Sequence, residues 1–263
     1  MTTLAVILIA LWLALILIAW TARAVTPQGP YAGDRLAVSL AQLSTKVYAR
    51  LVHRLKIDGL HHADAAWAAA QATKRPLLLI SNHKAGVDGA LISAAMPMFV
   101  RWMMAADMKH DTFEHAYRFA QVIFVCRENG PDGPSRDMAG VRAALRHLAA
   151  GGCVGIFPEG RLCRHPGQIY PFQPGAGLLI SRARPIVLPI VVRTASIQPT
   201  AYASLYRLSN SRLEVMPAID FGAPASAPAA ALRPAQIVRD LQARYEQWVG
   251  PVNPEPPLPT GKD

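Results

Sequence analysis

Residues 76–89 read Pro76-Leu77-Leu78-Leu79-Ile80-Ser81-Asn82-His83-Lys84-Ala85-Gly86-Val87-Asp88-Gly89. Pro76 to Ser81 reads as a strand whose Pro76–Ile80 run is apolar without alternation, the pattern of a strand covered on both faces. A polar turn follows, and Gly89 to Met96 reads as a helix stopped by Pro97. Strand, short turn and helix in that order open a βα unit, and the fold class it points to is α/β.

The same alternation continues in both directions. Upstream, Leu55 to Leu60 reads as a strand and Ala63 to Thr73 as an Ala-rich helix. Downstream, Val100 to Ala105 and Val122 to Cys126 read as strands, with His110 to Phe119 helical between them. Asp137 to Ala150 is a helix with Met138, Val141, Leu145 and Leu148 on one stripe, and Gly151-Gly152 ends it. Cys153 to Phe157 and Ile186 to Val192 are buried-type strands, Leu213 to Pro217 is a further strand, and Pro234 to Trp248 is a closing helix. Residues 251–263 are Pro-rich and read as an extended tail. No repeat or long linker divides the chain, so one domain is expected over residues 57–250.

His83 stands where the first buried strand ends, and Asp88 just before the helix. The carboxyl ends of strands are where α/β folds place reactive groups. With a turn between them, a His and an Asp five apart can meet: the carboxylate holds one imidazole nitrogen and the other is free as a base. The plainer alternative makes Asp88 the N-cap of the helix starting at Gly89. A second turn, Phe157-Pro158-Glu159-Gly160-Arg161, ends another buried strand. Its Pro and Gly make a tight bend that projects Glu159 and exposes backbone N–H groups; the alternative is a plain turn with a solvated acid. Arg127 at the end of Val122–Cys126, and Arg161, are suited to hold a phosphate bidentately.

The chain has 263 residues, 52% of them hydrophobic and 17% charged, with a formal net charge of +10. A positive balance of this size calls for an anionic partner. Aromatic residues are only 7% and no nucleic-acid-binding pattern is visible, so no nucleic acid is expected and an anionic membrane surface is. Cys126, Cys153 and Cys163 are odd in number and fit neither a disulfide framework nor a metal knuckle, so reduced thiols and no metal are expected. Glycine patterns for nucleotide or nicotinamide binding are missing, as is a Gly-x-Ser-x-Gly elbow.

Leu4 to Trp20 is an unbroken apolar run. The competing reading is a cleaved signal peptide, with Ala22-Arg23-Ala24 as its cleavage site. Against it, no Lys or Arg precedes the run, and the run exceeds a signal-peptide core. Basic residues Arg23, Arg35, Lys46, Arg50, Arg54 and Lys56 follow it. A transmembrane anchor over residues 1–24 is therefore expected, with the rest of the chain on the cytoplasmic side of the cell inner membrane. Residues 34–56 carry Leu36, Leu40, Leu43, Val47, Leu51 and Leu55 on one helical stripe, with Lys46, Arg50 and Arg54 adjoining. Such a basic amphipathic helix can lie on anionic lipid or pack its Leu stripe on the core, and the two are compatible.

Taken in order, Asn-His-x4-Asp, a strand ending in Arg, Phe-Pro-Glu-Gly and the Pro-containing strand Val187-Leu188-Pro189-Ile190 resemble the signature of the glycerophospholipid acyltransferases, specifically the bacterial 1-acylglycerol-3-phosphate acyltransferases. The resemblance runs from about Ile57 to Phe221. It implies a mixed, largely parallel sheet flanked by helices, with His83 deprotonating the free hydroxyl of a lysophospholipid and Asp88 orienting it. The donor would be acyl-ACP or acyl-CoA, with no cofactor, and Arg127, Glu159, Gly160 and Arg161 would help bind the acceptor. Two positions depart from the pattern: Leu162 stands where the family usually has Arg, and Gln173 where it usually has Lys. Fewer cations make a zwitterionic lysolipid, such as 2-acylglycerophosphoethanolamine, an alternative acceptor to 1-acylglycerol-3-phosphate. A membrane lipid-binding module without catalysis is the non-enzymatic alternative.

Overall fold

The structure is a computed structural model. It describes all residues except 1, 32, 127–128, 131–132, 135–137, 196, 223–232 and 255–263, and not the side chains of 2–6, 8–9, 129–130 and 133–134. Seven strands run in the order β1 (Lys56–Asp58), β9 (Arg212–Val215), β8 (Ile186–Thr194), β2 (Leu77–Ser81), β7 (Cys153–Ile156), β3 (Val100–Ala105) and β4 (Ile123–Val125). The five from β8 to β4 are mutually parallel, β9 and β1 run the other way, and the short β10 (Ile219–Asp220) pairs antiparallel with β8. A separate two-residue hairpin joins β5 (Asn129–Gly130) and β6 (Gly133–Pro134). The mixed, largely parallel sheet expected from the sequence is the sheet observed.

All five residues of β2 are buried, and they alternate between two cores. Leu77 and Leu79 join Leu188, Ile190 and Trp102 under α3 (Leu60–Thr73) and α4 (Asp88–Ala95). Leu78 and Ile80 join Val187, Val191 and Val154 under α6 (Met138–Ala149), α7 (Pro174–Ala183) and α8 (Pro234–Trp248). A central strand coated on both faces needs apolar residues at every position, which explains the unbroken run. The His110–Phe119 segment, read as one helix, is a 3-10 turn (Asp111–Phe113) followed by the short α5 (Glu114–Phe119). Helix α7 is absent from the sequence reading, because Pro174-Gly175-Ala176-Gly177 has loop composition. It forms because Ala176, Leu179 and Ile180 pack into the second core.

Residues Thr2–Ala24 form α1, which lies against α2 (Arg35–Leu51). Among the described residues no helix is long and apolar enough to cross a membrane, so the crossing expected of residues 1–24 is not established by the fold. In α2, Asp34 caps the first turn by accepting from the Leu36 and Ala37 N–H groups. Its buried side chains are Val38, Ser39 and Ala49, whereas Leu36, Leu40, Val47 and Leu51 are exposed. Four of the six stripe positions thus face away from the core, while Leu43 is half-buried and Leu55 packs against the first core. Lys46 is not on a solvated face either: its Nζ donates to Ala94 O at 2.6 Å, and burial lowers its pKa.

Candidate active site

Two neighbouring parallel strands, β2 and β7, end side by side, with Ile80 in register with Ile156. Their carboxyl ends therefore deliver His83 and Phe157 to the same edge of the sheet. His83 Nδ1 lies 3.1 Å from Asp88 Oδ2; the His83 side chain is 18% exposed and that of Asp88 fully buried. The same Oδ2 accepts from the Lys84 N–H (2.7 Å) and the Ala85 N–H (2.8 Å). The carboxylate thus knots the turn around itself and meets the imidazole last. That geometry corrects the capping alternative: Asp88 is already the first helical residue, and its carboxylate reaches back into the turn instead of forward to the helix.

Ring orientation is fixed from a second direction. His83 stacks on Phe157 with centroids 3.8 Å apart and planes 10° from parallel, and Phe157 stacks on Trp102 at 4.7 Å and 14°. Trp102 in turn donates its indole N–H to Ser93 Oγ at 2.8 Å. Its strand partner is Gly155, where a Cβ would stand 2.7 Å from the indole ring, so only glycine leaves room for the stack. With Nδ1 facing the carboxylate, the ring carries its proton there and Nε2 is the free base position. Among the described residues Nε2 has no hydrogen-bond partner.

Glu159 is placed differently from the projecting acid expected of its turn. It is 1% exposed, and its two carboxylate oxygens accept from the backbone N–H groups of His83 (Oε1, 2.7 Å) and Tyr170 (Oε2, 2.7 Å). Burial raises its pKa to about 7, against the lowering effect of those two N–H groups and of nearby Lys84. The turn is also stitched to the first by the Cys163 N–H, which donates to His83 O at 2.7 Å. Lys84, almost fully buried, donates its ammonium to His165 O (3.0 Å) and Gln168 O. Gly160 is exposed, and its N–H closes the bend onto Phe157 O at 3.0 Å. Arg161 is half-buried, with its guanidinium 5.4 Å above the Tyr170 ring. The exposed Gln173 lies beside Gly160, and its N–H donates to Pro158 O. Arg127 falls outside the described residues. His83, Asp88 and the Glu159–Arg161 bend are thus brought together at one sheet edge.

Two supporting roles carry no signal of their own in the sequence. Asn82 mimics a strand residue: its amide accepts from Val192 N–H (2.8 Å) and donates to Val192 O (3.1 Å), carrying the β2–β8 pairing one step past Ser81. Tyr245 of α8, fully buried, donates its hydroxyl to Ile80 O (2.5 Å) and accepts from Ile190 N–H (3.2 Å). In the sequence, Ile237, Leu241 and Tyr245 form a plain apolar stripe, so no signal distinguishes that tyrosine from core. None of the three cysteines is in a disulfide among the described residues; Cys126 is exposed and the others are buried.

A base held by a carboxylate at a parallel-sheet edge, beside a turn tied to it by backbone hydrogen bonds, is an arrangement for general-base catalysis. Comparison with known proteins agrees. The profile of the acyltransferase family matches residues 54–193, more than half of the chain. The chain therefore belongs to the acyltransferase family. It is 26% identical over 222 residues to an N-acylphosphatidylethanolamine synthase of Arabidopsis thaliana, covering 76% of each chain. It is 28% identical over 131 residues to a taffazin of Dictyostelium discoideum, covering 45% of this chain and 44% of that one. Its fold matches the crystal structure of PlsC, the 1-acyl-sn-glycerophosphate acyltransferase of Thermotoga maritima, with a TM-score of 0.53 at 15% identity, covering 93% of this chain and 99% of that chain.

Proposed function

We propose that the enzyme moves an acyl chain from a thioester donor, acyl-ACP or acyl-CoA, to the free hydroxyl of a lysophospholipid, with 1-acylglycerol-3-phosphate as the first acceptor. The observation that carries this reading is the His83–Asp88 pair, 3.1 Å apart and clamped by both turns. Nε2 of His83 takes the hydroxyl proton as the oxygen attacks the thioester carbonyl. The tetrahedral intermediate then collapses, the C–S bond breaks, and the proton passes from the imidazolium to the leaving thiolate. Asp88 keeps Nδ1 protonated and offsets the transient imidazolium charge. Glu159, buried and bonded only to backbone, acts by holding His83 in place; Gly160 and Arg161 remain on the acceptor side of the bend, where Arg161 meets the phosphate. Arg127 is proposed to serve the same phosphate. No cofactor or metal takes part in this scheme.

A second acceptor class is favoured by a specific observation. Leu162 and Gln173 supply no cation beside the exposed Gly160, which suits a zwitterionic head group such as that of 2-acylglycerophosphoethanolamine. The Arabidopsis relative, named for N-acylphosphatidylethanolamine, shares that ethanolamine head group, though its name places the acyl chain on nitrogen. Residues 1–24 are proposed as a membrane anchor and residues 34–56 as a basic helix lying on anionic lipid, with the catalytic domain over 57–250 on the cytoplasmic face of the inner membrane. The test is purified enzyme with acyl-ACP or acyl-CoA against a panel of lysolipids, following transfer against free fatty acid release. Diacyl product from one or more lysolipids is expected; fatty acid release without it would make the enzyme a hydrolase and end this reading.

A further inference from the structure

The chain between β8 and β9 carries an exposed apolar tip that is bolted to the catalytic turn. At its inner end, Ser204 is fully buried; its hydroxyl accepts from the Val87 N–H (3.1 Å) and donates to Ala201 O (2.7 Å). Gly86 fits against this segment so closely that a Cβ there would lie 2.3 Å from Ala201 O. At its outer end, Tyr206 and Leu208 are each 73% exposed, the largest values among the described large apolar side chains, with exposed Arg207 between them.

That exposure does not come from a loose loop. Tyr48 OH donates to Leu205 O (2.6 Å), the Ser209 N–H to Val52 O (3.0 Å) and the Ser211 N–H to His53 O (2.9 Å), while His53 Nδ1 meets Ser209 Oγ at 2.8 Å. Two apolar side chains are thus held in water by a backbone fixed on both flanks, and a fixed exposed apolar patch is a mark of an interaction surface. These bonds also join the tip to α2, whose Val47 and Leu51 are themselves exposed. Charge singles out the occupant. Residues 35–57 and 195–213 contain no Asp or Glu, and Arg50, Arg54 and Arg207 are exposed. Apolar side chains fringed by cations alone match an anionic bilayer surface, where the rings and aliphatic chains enter the interface and the guanidinium groups meet phosphate.

We propose that Tyr206-Arg207-Leu208 is a membrane-docking tip, which seats the enzyme on anionic phospholipid at a fixed distance from His83 so that a lysolipid enters the site from the bilayer. This rests on the lipid-acceptor reading above, and the test separates the two. The full-length enzyme, with Cys126→Ser to leave only buried native thiols, is given a thiol-linked fluorophore at Leu208→Cys or, as a control on the opposite sheet face, at Ala235→Cys. In vesicles of phosphatidylcholine and phosphatidylglycerol, brominated acyl chains should quench the probe at 208 and spare that at 235. An unquenched probe at 208 overturns the proposal, whatever the enzyme acylates. The pair Tyr206→Ser, Leu208→Ser should lower turnover of vesicle-borne lysolipid about three- to tenfold and leave turnover of a short-chain, monomeric lysolipid unchanged. Equal loss on both substrates, or loss on neither, also overturns it.

Discussion

The two turns at the active edge, 82–88 and 157–163, grow from neighbouring parallel strands and each carries a carboxylate, yet they use it in opposite ways. Asp88 meets a side chain, the imidazole of His83, after two backbone N–H groups of its own turn have fixed it. Glu159 meets only backbone, and that backbone belongs to the other turn and to Tyr170. One turn holds the base, and the other holds the turn that holds the base. Burial alone does not assign a catalytic role: both acids are buried, and what separates them is whether the partner is a titratable ring or a peptide.

Substitutions can break that comparison. Asp88→Asn should have the largest effect after removal of His83 itself, lowering kcat about 10²–10⁴-fold, because a neutral amide cannot offset the imidazolium charge that forms as His83 takes the proton. A loss confined to KM would contradict it. Glu159→Gln leaves one oxygen for two N–H donors and turns an NH2 against the other. About 10–10²-fold should be lost in kcat, with the acceptor KM little changed, as expected of a small displacement of the base. If KM rises instead and kcat holds, Glu159 binds acceptor directly.

The same residue predicts a pH dependence of stability. Its folded pKa of about 7 lies above the ordinary 4.5, so the folded chain binds this proton more tightly than the unfolded one. Its contribution to stability is therefore present at low pH and is lost as pH rises from 4.5 through 7, by on the order of 3 kcal/mol. Denaturant midpoints of wild type and Glu159→Gln should converge differently at pH 5 and pH 8, with the variant relatively more stable at pH 8; a pH-independent difference would contradict the buried, proton-hungry carboxyl. The smallest effect sharpens acceptor choice. Leu162→Arg with Gln173→Lys should favour 1-acylglycerol-3-phosphate over a zwitterionic lysolipid by about three- to tenfold in kcat/KM, and an unchanged ratio would show that those positions do not face the head group.

Much of the sheet was legible because its central strands are coated on both faces, which forces apolar residues at Leu77–Ile80 of β2 and along β7. Helix α7 was not, since its Pro-Gly-Ala-Gly start has the composition of a loop and only packing against the second core makes it helical. The Leu stripe of α2 was visible as a period, but a period does not say which way the stripe faces, and here Leu36, Leu40, Val47 and Leu51 face outward. In the site, the spacing of His83 and Asp88 showed that they could meet. The inward turn of Glu159 and the strand-like pairing of Asn82 depend on contacts with residues 11 and 110 positions away, which no local pattern carries.

The central claim is that His83 is the base. Purified His83→Ala enzyme in vesicles, assayed with an acyl thioester and the best lysolipid acceptor, is the direct test. The account predicts a fall in kcat of about 10³-fold or more, with unchanged thermal unfolding and unchanged membrane association. Turnover within a few-fold of wild type would contradict it.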